Sequence, residues 1–433
     1  MAERTQLPAT SSDPIVIVGG GLLGVATLYE LVSRGEPAVL LEANQSVADE
    51  TSFANGGMLT PSMPDPWNSP GVGAHLIESL FDPKSPLKLR WKAIPGLTFW
   101  GLEFLRNSAP KRHAATTDAN YHLASYSTKK TDDLRRELGL KYDFSDTGTL
   151  KVFESEAAMD GPRALAERLE VHGLKFEALD REQTIAAEPQ LGPIKDRIVG
   201  ALRYPDDHVG DARKFTQDLS KRAMAAGGEI RFGARVDRIL REAGRVSGVE
   251  VGGEVLKAKS LVLAAGVSAA GLGRALGIRL PIAPAKGYSF TIDASALGNE
   301  MPRVPVIDDA MHAAVVPLGQ RLRFVGTAEF AGRDTNIDPV RVDNLKALFE
   351  RMYPHLSDRV DLSTGQAWAG FRPMSADGRP FISQSPIEGL WLNCGHGHLG
   401  WTKAVGSARL LADQMLGTPT EIDATPFRYK RGR

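Results

Sequence analysis

The sequence predicts an α/β fold: a parallel βαβ domain interrupted by a second domain of mixed α+β character. Three observations predict it. Residues 14–18 (PIVIV) form a continuous apolar run rich in β-branched residues, as in a strand buried on both faces of a parallel sheet. A glycine turn, a segment of helical period and a second apolar run at 38–42 (AVLLE) follow within ~30 residues, the length of a βαβ unit. The C-terminal part repeats the pattern, with a strand at 390–393 (LWLN), a glycine-rich turn and a helix from about 401 to 416.

The intervening elements justify the second domain. Residues 25–34 (VATLYELVSR) have helical spacing, and Gly35 is a C-terminal stop. Residues 60–107 are rich in Pro and Trp and read as irregular. Residues 108–138 read as a helix with Leu123, Tyr126 and Leu134 on one stripe. A strand at 148–153, a helix at 159–172 and a strand at 201–204 follow. An amphipathic helix at 215–226 leads into one strand at 229–236. Residues 246–251 and 254–258 form a hairpin with Gly252-Gly253 at its turn. A strand at 260–266 ends in Gly266. Residues 279–292 and 313–327 are β-rich, and 343–352 is a helix. The expected organisation is a leader at 1–13, a dinucleotide domain at 14–95, 205–283 and 362–433, and a substrate domain at 96–204 and 284–361.

Composition excludes several classes. The 433 residues carry 52 Lys plus Arg against 52 Asp plus Glu, which lacks the basic excess of a nucleic-acid binder. One cysteine, Cys394, leaves no disulfide framework or multi-cysteine metal site. No apolar run reaches the ~20 residues of a spanning helix, and the polar N-terminus does not resemble a secretory signal. These features point to the cytoplasm. The C-terminal RYKRGR reads as a solvated tail, with peripheral contact to an anionic membrane surface as the second reading.

Four motifs carry chemistry. Gly19-x-Gly21-x-x-Gly24 follows a strand and opens a helix, so its backbone can approach a pyrophosphate and the helix N-terminus can hold it. Glu42 lies 18 residues after Gly24, near the ~20 expected of a ribose-binding acid. These residues bind a dinucleotide of either the FAD or the NAD type. The segment 50–57 (ETSFANGG) sets hydroxyls among small residues, as in a turn or a diphosphate contact. In 370–378 (GFRPMSADG), Arg372 precedes a proline that holds it extended, and its guanidinium fork suits a carboxylate. In 393–402 (NCGHGHLGWT), a glycine turn opens a helix and aims N–H groups at a site of negative charge. His396 and His398 lack a third partner for a metal, and none is expected. Cys394 reads as a small buried residue.

With these segments in this order, joined by PDDHVGDARKFTQDL (205–219) and KGYS (286–289), the chain resembles the bacterial FAD-dependent D-amino-acid dehydrogenases of the D-amino-acid oxidase, glycine oxidase and sarcosine oxidase superfamily. The resemblance runs from Pro14 to the C-terminus. It implies a glutathione-reductase-type FAD domain and non-covalent FAD. It also implies oxidation of a D-amino acid by hydride transfer from Cα to flavin N5, hydrolysis to a 2-oxo acid and ammonia, and electrons passed to a quinone or other respiratory-chain acceptor. By resemblance, Gly19, Gly21 and Gly24 cradle the pyrophosphate and Glu42 holds the ribose. Thr51, Ser52, Gly57 and Gly266 lie along the FAD, Val236 flanks the adenine, and Gly397, Leu399, Gly400, Trp401 and Thr402 frame the flavin. Arg372 matches the carboxylate-binding arginine, with Tyr288 and His312 as pocket-wall candidates. Cys394 stands where the family pattern has threonine, and His398 where it has a hydroxyl residue. The readings left open are an oxidase of the same fold, a D-proline or cis-4-hydroxy-D-proline dehydrogenase, an NAD-dependent dehydrogenase and an electron-relay subunit.

Overall fold

The structure, a computed structural model, describes residues 13–74, 76 and 87–431. The expected leader therefore lies, but for Asp13, outside the described residues. The strand Ile15–Val18 is wholly buried, as its unbroken apolar run requires. The helix Leu22–Val32 starts at Gly21 and packs back onto the strand. That packing is close: a Cβ on Gly24 would stand 1.8 Å from the carbonyl oxygen of Gly19. Gly19 has φ of 112°, and a Cβ there would stand 2.7 Å from the Ala264 carbonyl oxygen.

Six described strands form the sheet that carries the glycine turn. Their order is Phe381–Gln384, Leu390–Cys394, Ser260–Leu263, Ile15–Val18, Ala38–Leu41 and Glu229–Arg231. All neighbours are parallel except the first pair. The helices Leu22–Val32, Ala212–Ala225 and Gly400–Leu416 cover one face through an apolar core that includes Leu28, Phe215 and Leu411. A three-stranded antiparallel sheet, Val236–Glu242, Arg245–Val251 and Glu254–Lys257, packs on the other. Gly252 and Gly253 turn its hairpin at φ of 57° and 84°, the positive values that a tight hairpin turn demands.

A nine-stranded mixed sheet forms the second layer. Its long strands are Gln366–Ser375, Ile282–Asp293 and Arg321–Phe330, and the helix Pro339–Met352 buries Leu345, Leu348 and Phe349 against it. The fold is thus the α/β class that the sequence predicts.

Several elements differ from expectation. The single strand expected at 229–236 is two, Glu229–Arg231 and Val236–Glu242, in different sheets. Gly233, at φ of 65°, turns the chain between them. The stretch read as irregular contains the helix Ile94–Asn107, because Pro95 and Gly96 sit in the first turn, where proline removes no intrahelical bond. Gln366–Ser375, placed with the dinucleotide domain by the expected join at 361, pairs along Ile282–Asp293 in the nine-stranded sheet. Leu87–Leu89 pairs with Arg321–Phe330 in the same sheet. The C-terminal tail is not solvated at Arg431, which grips Asp377 at 2.6 and 2.7 Å and donates to the Arg379 and Pro380 carbonyls.

Candidate active site

A cavity of about 520 Å³ runs from the glycine turn to the strand that carries Arg372. All of the predicted site residues line it except Gly24. Gly24 instead sets the distance between the helix and the strand.

One end is built by the βαβ unit. Glu42, buried at the end of the second strand, accepts from the Gly20 N–H at 2.6 Å and the Asn44 N–H at 2.7 Å. Its carboxylate is thereby fixed at the cavity wall beside Val236 and Ala234. A carboxylate has about four acceptor sites, so two hydroxyl donors can still be served. The helix after Gly21 has no acidic residue in its first turn. Its leading N–H groups face the cavity with a positive dipole end, and the Leu22 N–H reaches Ser52 Oγ at 3.3 Å. A Cβ on Gly21 would meet nothing closer than Ser52 Oγ at 3.7 Å, so it would stand in the cavity where an anion must approach. Gly266, at φ of 50°, likewise has open space where a Cβ would be.

The loop 50–57 is tied to the second layer. The Thr51 hydroxyl donates to the Phe371 carbonyl at 2.7 Å, and the Ser289 hydroxyl donates to the Ala54 carbonyl at 2.7 Å. Gly57, at φ of 71°, faces Leu318 at 3.2 Å from a Cβ position, which leaves little room for a side chain. Its carbonyl accepts from the Gly210 N–H at 2.7 Å.

The far end combines the C-terminal glycine turn with Arg372. Gly397, at φ of 63°, opens a short turn through Leu399 into the helix Gly400–Leu416. Trp401 packs its ring on Phe215 at 4.7 Å and donates to the Gly210 carbonyl, so its indole anchors the helix. The Thr402 hydroxyl accepts from the Thr60 N–H at 3.0 Å. Cys394 is buried, which pushes its thiol up to about 12 and leaves it inert as a nucleophile. His396 bonds Ser407 at 2.9 Å through Nε2. His398 stacks on Trp67 at 5.6 Å. Burial pushes both imidazoles down to about 3, so they are neutral at neutral pH.

Arg372 is the electrostatic centre of this end. Its guanidinium is buried, and desolvation alone pulls it down to about 10. Arginine still carries its charge at neutral pH, yet no carboxylate pairs with it among the described residues, and its NH1 has no hydrogen-bond partner. A buried unpaired cation is costly unless a ligand supplies the anion. Trp67 lends it one aromatic face, at 5.3 Å. The space exists because Gly287 has no side chain: a Cβ there would stand 2.5 Å from Arg372 Cζ. Gly370 likewise lets the Trp368 ring fold over the strand.

The two predicted wall residues both border the cavity, in different ways. Successive strand side chains point to opposite faces, so Tyr288 turns away from the Gly287–Arg372 face. Its ring lies in the core with Phe290 and Ile292, 5.5 Å from Lys286 Nζ. His312 is exposed at the cavity, on a turn with φ of 47°. Sequence reasoning missed Trp67 and Trp368, which stand in a Pro- and Trp-rich stretch and on a strand without a motif. It also missed Gly287, for which KGYS was the available signal.

The long cavity, the free helix N-terminus, the fixed acid and the glycine walls fit a dinucleotide of the FAD type. A family model described as FAD dependent oxidoreductase (DAO) matches residues 14–414. The chain is 38% identical over 420 residues to a D-amino acid dehydrogenase of Bradyrhizobium diazoefficiens, covering 96% of this chain and 98% of that protein. It is 37% identical to one from Cereibacter sphaeroides, covering 96% and 95%. In fold it is similar to glycine oxidase from Geobacillus kaustophilus, with a TM-score of 0.74 and 22% identity over 97% of this chain and 98% of that one. It is also similar in fold to L-proline dehydrogenase from P. horikoshii, with a TM-score of 0.77 and 17% identity over 98% and 97%.

Proposed function

The chain belongs to the FAD dependent oxidoreductase family, and from that premise we propose that it is a D-amino acid dehydrogenase. The observation that carries the substrate class is Arg372, a buried guanidinium with no acid partner on the wall of a dinucleotide-sized cavity. Such a group is completed by a substrate carboxylate, held by two parallel charge-assisted bonds. The D configuration rests on the two dehydrogenases at 37–38% identity.

FAD supplies the two-electron acceptor for the hydride that leaves Cα. Glu42 would hold its ribose, and Gly19, Gly21 and Ser52 with the helix N-terminus would hold its pyrophosphate. The turn from Gly397 to Thr402 would frame the flavin. Arg372 fixes the carboxylate, and so restricts how Cα and the amino group stand in the cavity. The amino group must lose a proton before hydride leaves, because an ammonium has no lone pair to form the imine.

The electrons pass, in this reading, to an acceptor of the respiratory chain at the inner face of the cell membrane. Among the described residues no helix is long and apolar enough to cross a membrane. A peripheral contact is supported by an exposed apolar surface beside the site. Trp91 is 61% exposed, Phe99 74% and Leu102 62%, and Leu105 stands with them. Exposed Lys92, Arg106 and Lys111 fringe this surface, which suits an anionic bilayer. The inner side of the same helix touches the site strand, where Trp100 Nε1 donates to the Met374 carbonyl at 2.9 Å.

The test is dye reduction by FAD-loaded protein with paired D- and L-amino acids, proline, hydroxyproline, glycine and sarcosine, with peroxide followed in parallel. Dye reduction by D-substrates with little peroxide is expected. Peroxide in step with turnover would make it an oxidase, and preference for the L-forms would overturn the assignment.

A further inference from the structure

The paired strands Gln366–Ser375 and Ile282–Asp293 set two glycines directly opposite each other, Gly370 and Gly287. Residues two apart on a strand share a face, so Trp368, Gly370 and Arg372 stand together on the side that lines the cavity. Both long side chains lean onto the glycine pair. A Cβ on Gly287 would stand 2.5 Å from Arg372 Nη1, and a Cβ on Gly370 would stand 2.2 Å from Trp368 Cζ2. Directly opposed Cβ positions are about 4.5–5.5 Å apart, so this bare floor holds a guanidinium and an indole side by side.

Of the two indoles beside the clamp, Trp67 is already engaged and Trp368 is not. The Trp67 ring carries Arg372 at 5.3 Å and stacks on His398 at 5.6 Å. Trp368 is half-buried and lines the cavity, and among the described residues no ring and no cation stacks on it. A carboxylate held at Arg372 is seated on the same floor, one bond from Cα, which brings the groups on Cα beside this indole. The Cα hydrogen must face the oxidant and the amino group needs polar surroundings, so the apolar wall is left to the side chain. The charges of the cavity point the same way. Its carboxylates are Glu42, Asp49 and Glu50. Glu42 is bonded at the glycine turn, and Asp49 pairs with Arg213 at 2.8 Å. Burial alone shifts the Arg372 guanidinium, so no carboxylate acts on it, Glu50 included. A substrate side chain ending in a cation would lose its water beside Trp368 with no anion to meet.

We infer that Trp368 determines side-chain specificity: the substrate side chain packs on its indole, so D-amino acids with apolar or aromatic side chains are preferred and those with a cationic end are disfavoured. The inference rests on the reading of Arg372 as the carboxylate clamp and adds a side-chain class to it.

Two pairs of carboxylates without an α-amine test the wall without turnover: phenylacetate against acetate, and hexanoate against 6-aminohexanoate. Calorimetry on the holoenzyme gives the Kd of each. In the wild type phenylacetate is expected to bind about 10- to 100-fold more tightly than acetate, and hexanoate about 10-fold or more above 6-aminohexanoate. In Trp368→Ala both ratios should fall toward one, and Trp368→Phe, which keeps a flat ring, should restore the first. Equal affinities within each pair in the wild type, or ratios unchanged in Trp368→Ala, would overturn the inference. A crystal structure of the wild-type holoenzyme with phenylacetate decides the wall independently of any variant. Its ring is expected within about 4 Å of the Trp368 indole, and a ring seated elsewhere would overturn the inference. If no carboxylate binds, acetate included, the clamp falls and the inference falls with it. If the preferences hold but no D-amino acid is turned over, the wall stands and the dehydrogenase reading falls instead.

Discussion

Arg372 and Gly287 act as one unit, and the chemistry of each fixes what the other must be. Lysine at 372 would replace a bidentate fork with a point charge. Hydrogen bonds to a charged group are worth about 1.5–3 kcal/mol, so Arg372→Lys is expected to raise KM for the D-substrate about 10- to 100-fold. Gly287→Ala reaches the same guanidinium from beneath, with a Cβ 2.5 Å from Cζ. It should raise KM in the same direction and leave FAD content unchanged. Steady-state kinetics with flavin absorbance checks both, and a KM unchanged in Arg372→Lys would remove the arginine from the site. Arg372 was legible because an arginine before a proline in a glycine-bounded segment stands out. Gly287 was not, since its importance is the guanidinium beneath it. Tyr288 borders the cavity, but that its ring packs in the core was not legible, because residue type gives no strand register and one residue along a strand reverses the face.

At the level of elements, the glycine turn divides its work between two positions that a motif treats alike. Gly21 borders open cavity and Gly24 borders backbone. Gly21→Ala is expected to leave the stability of the apoprotein within about 0.5 kcal/mol of wild type, while weakening FAD binding sharply. Gly24→Ala must push the helix Leu22–Val32 off its strand, at a cost of about 2–3 kcal/mol, and should lose FAD together with stability. Thermal melts of apoprotein and flavin titrations of each variant separate the two effects. The βαβ unit, the hairpin at Gly252-Gly253 and the last strand, turn and helix were legible because periodicity and turn chemistry agree there. The helix Ile94–Asn107 was not. It is apolar on both sides, with Trp100 and Phe104 turned inward and Phe99 and Leu102 outward, so it has no clean amphipathic stripe.

Taken whole, the molecule joins two sheets through long strands that no local pattern announces. Gln366–Ser375 and Ile282–Asp293 are paired over ten residues, and that pairing brings Arg372 to the cavity. Sequence order placed the domain joins near 283 and 361, but pairing partners are a non-local property, and Gln366–Ser375 went to the other layer. The unusual outer face of Ile94–Asn107 is also a whole-molecule property, since it concerns what the surface meets. Phe99→Asp with Leu102→Asp is expected to abolish co-sedimentation with phosphatidylglycerol vesicles. The same variant should keep dye-linked turnover within about twofold, because neither side chain reaches the cavity. Equal vesicle binding by wild type and variant would remove this surface from the reading of the acceptor.

The two hydroxyl bonds from Thr51 to the Phe371 carbonyl and from Ser289 to the Ala54 carbonyl fasten the 50–57 loop to the strands that present Arg372 and Gly287. Whatever orders one side of this seam orders the other. The affinities for the dinucleotide and for a carboxylate are then thermodynamically linked, and linkage is reciprocal. A carboxylate ligand should slow loss of FAD on dilution by the same factor by which FAD tightens the carboxylate. Ser289→Ala, which cuts one stitch at a residue that does not line the cavity, should bring that shared factor toward one.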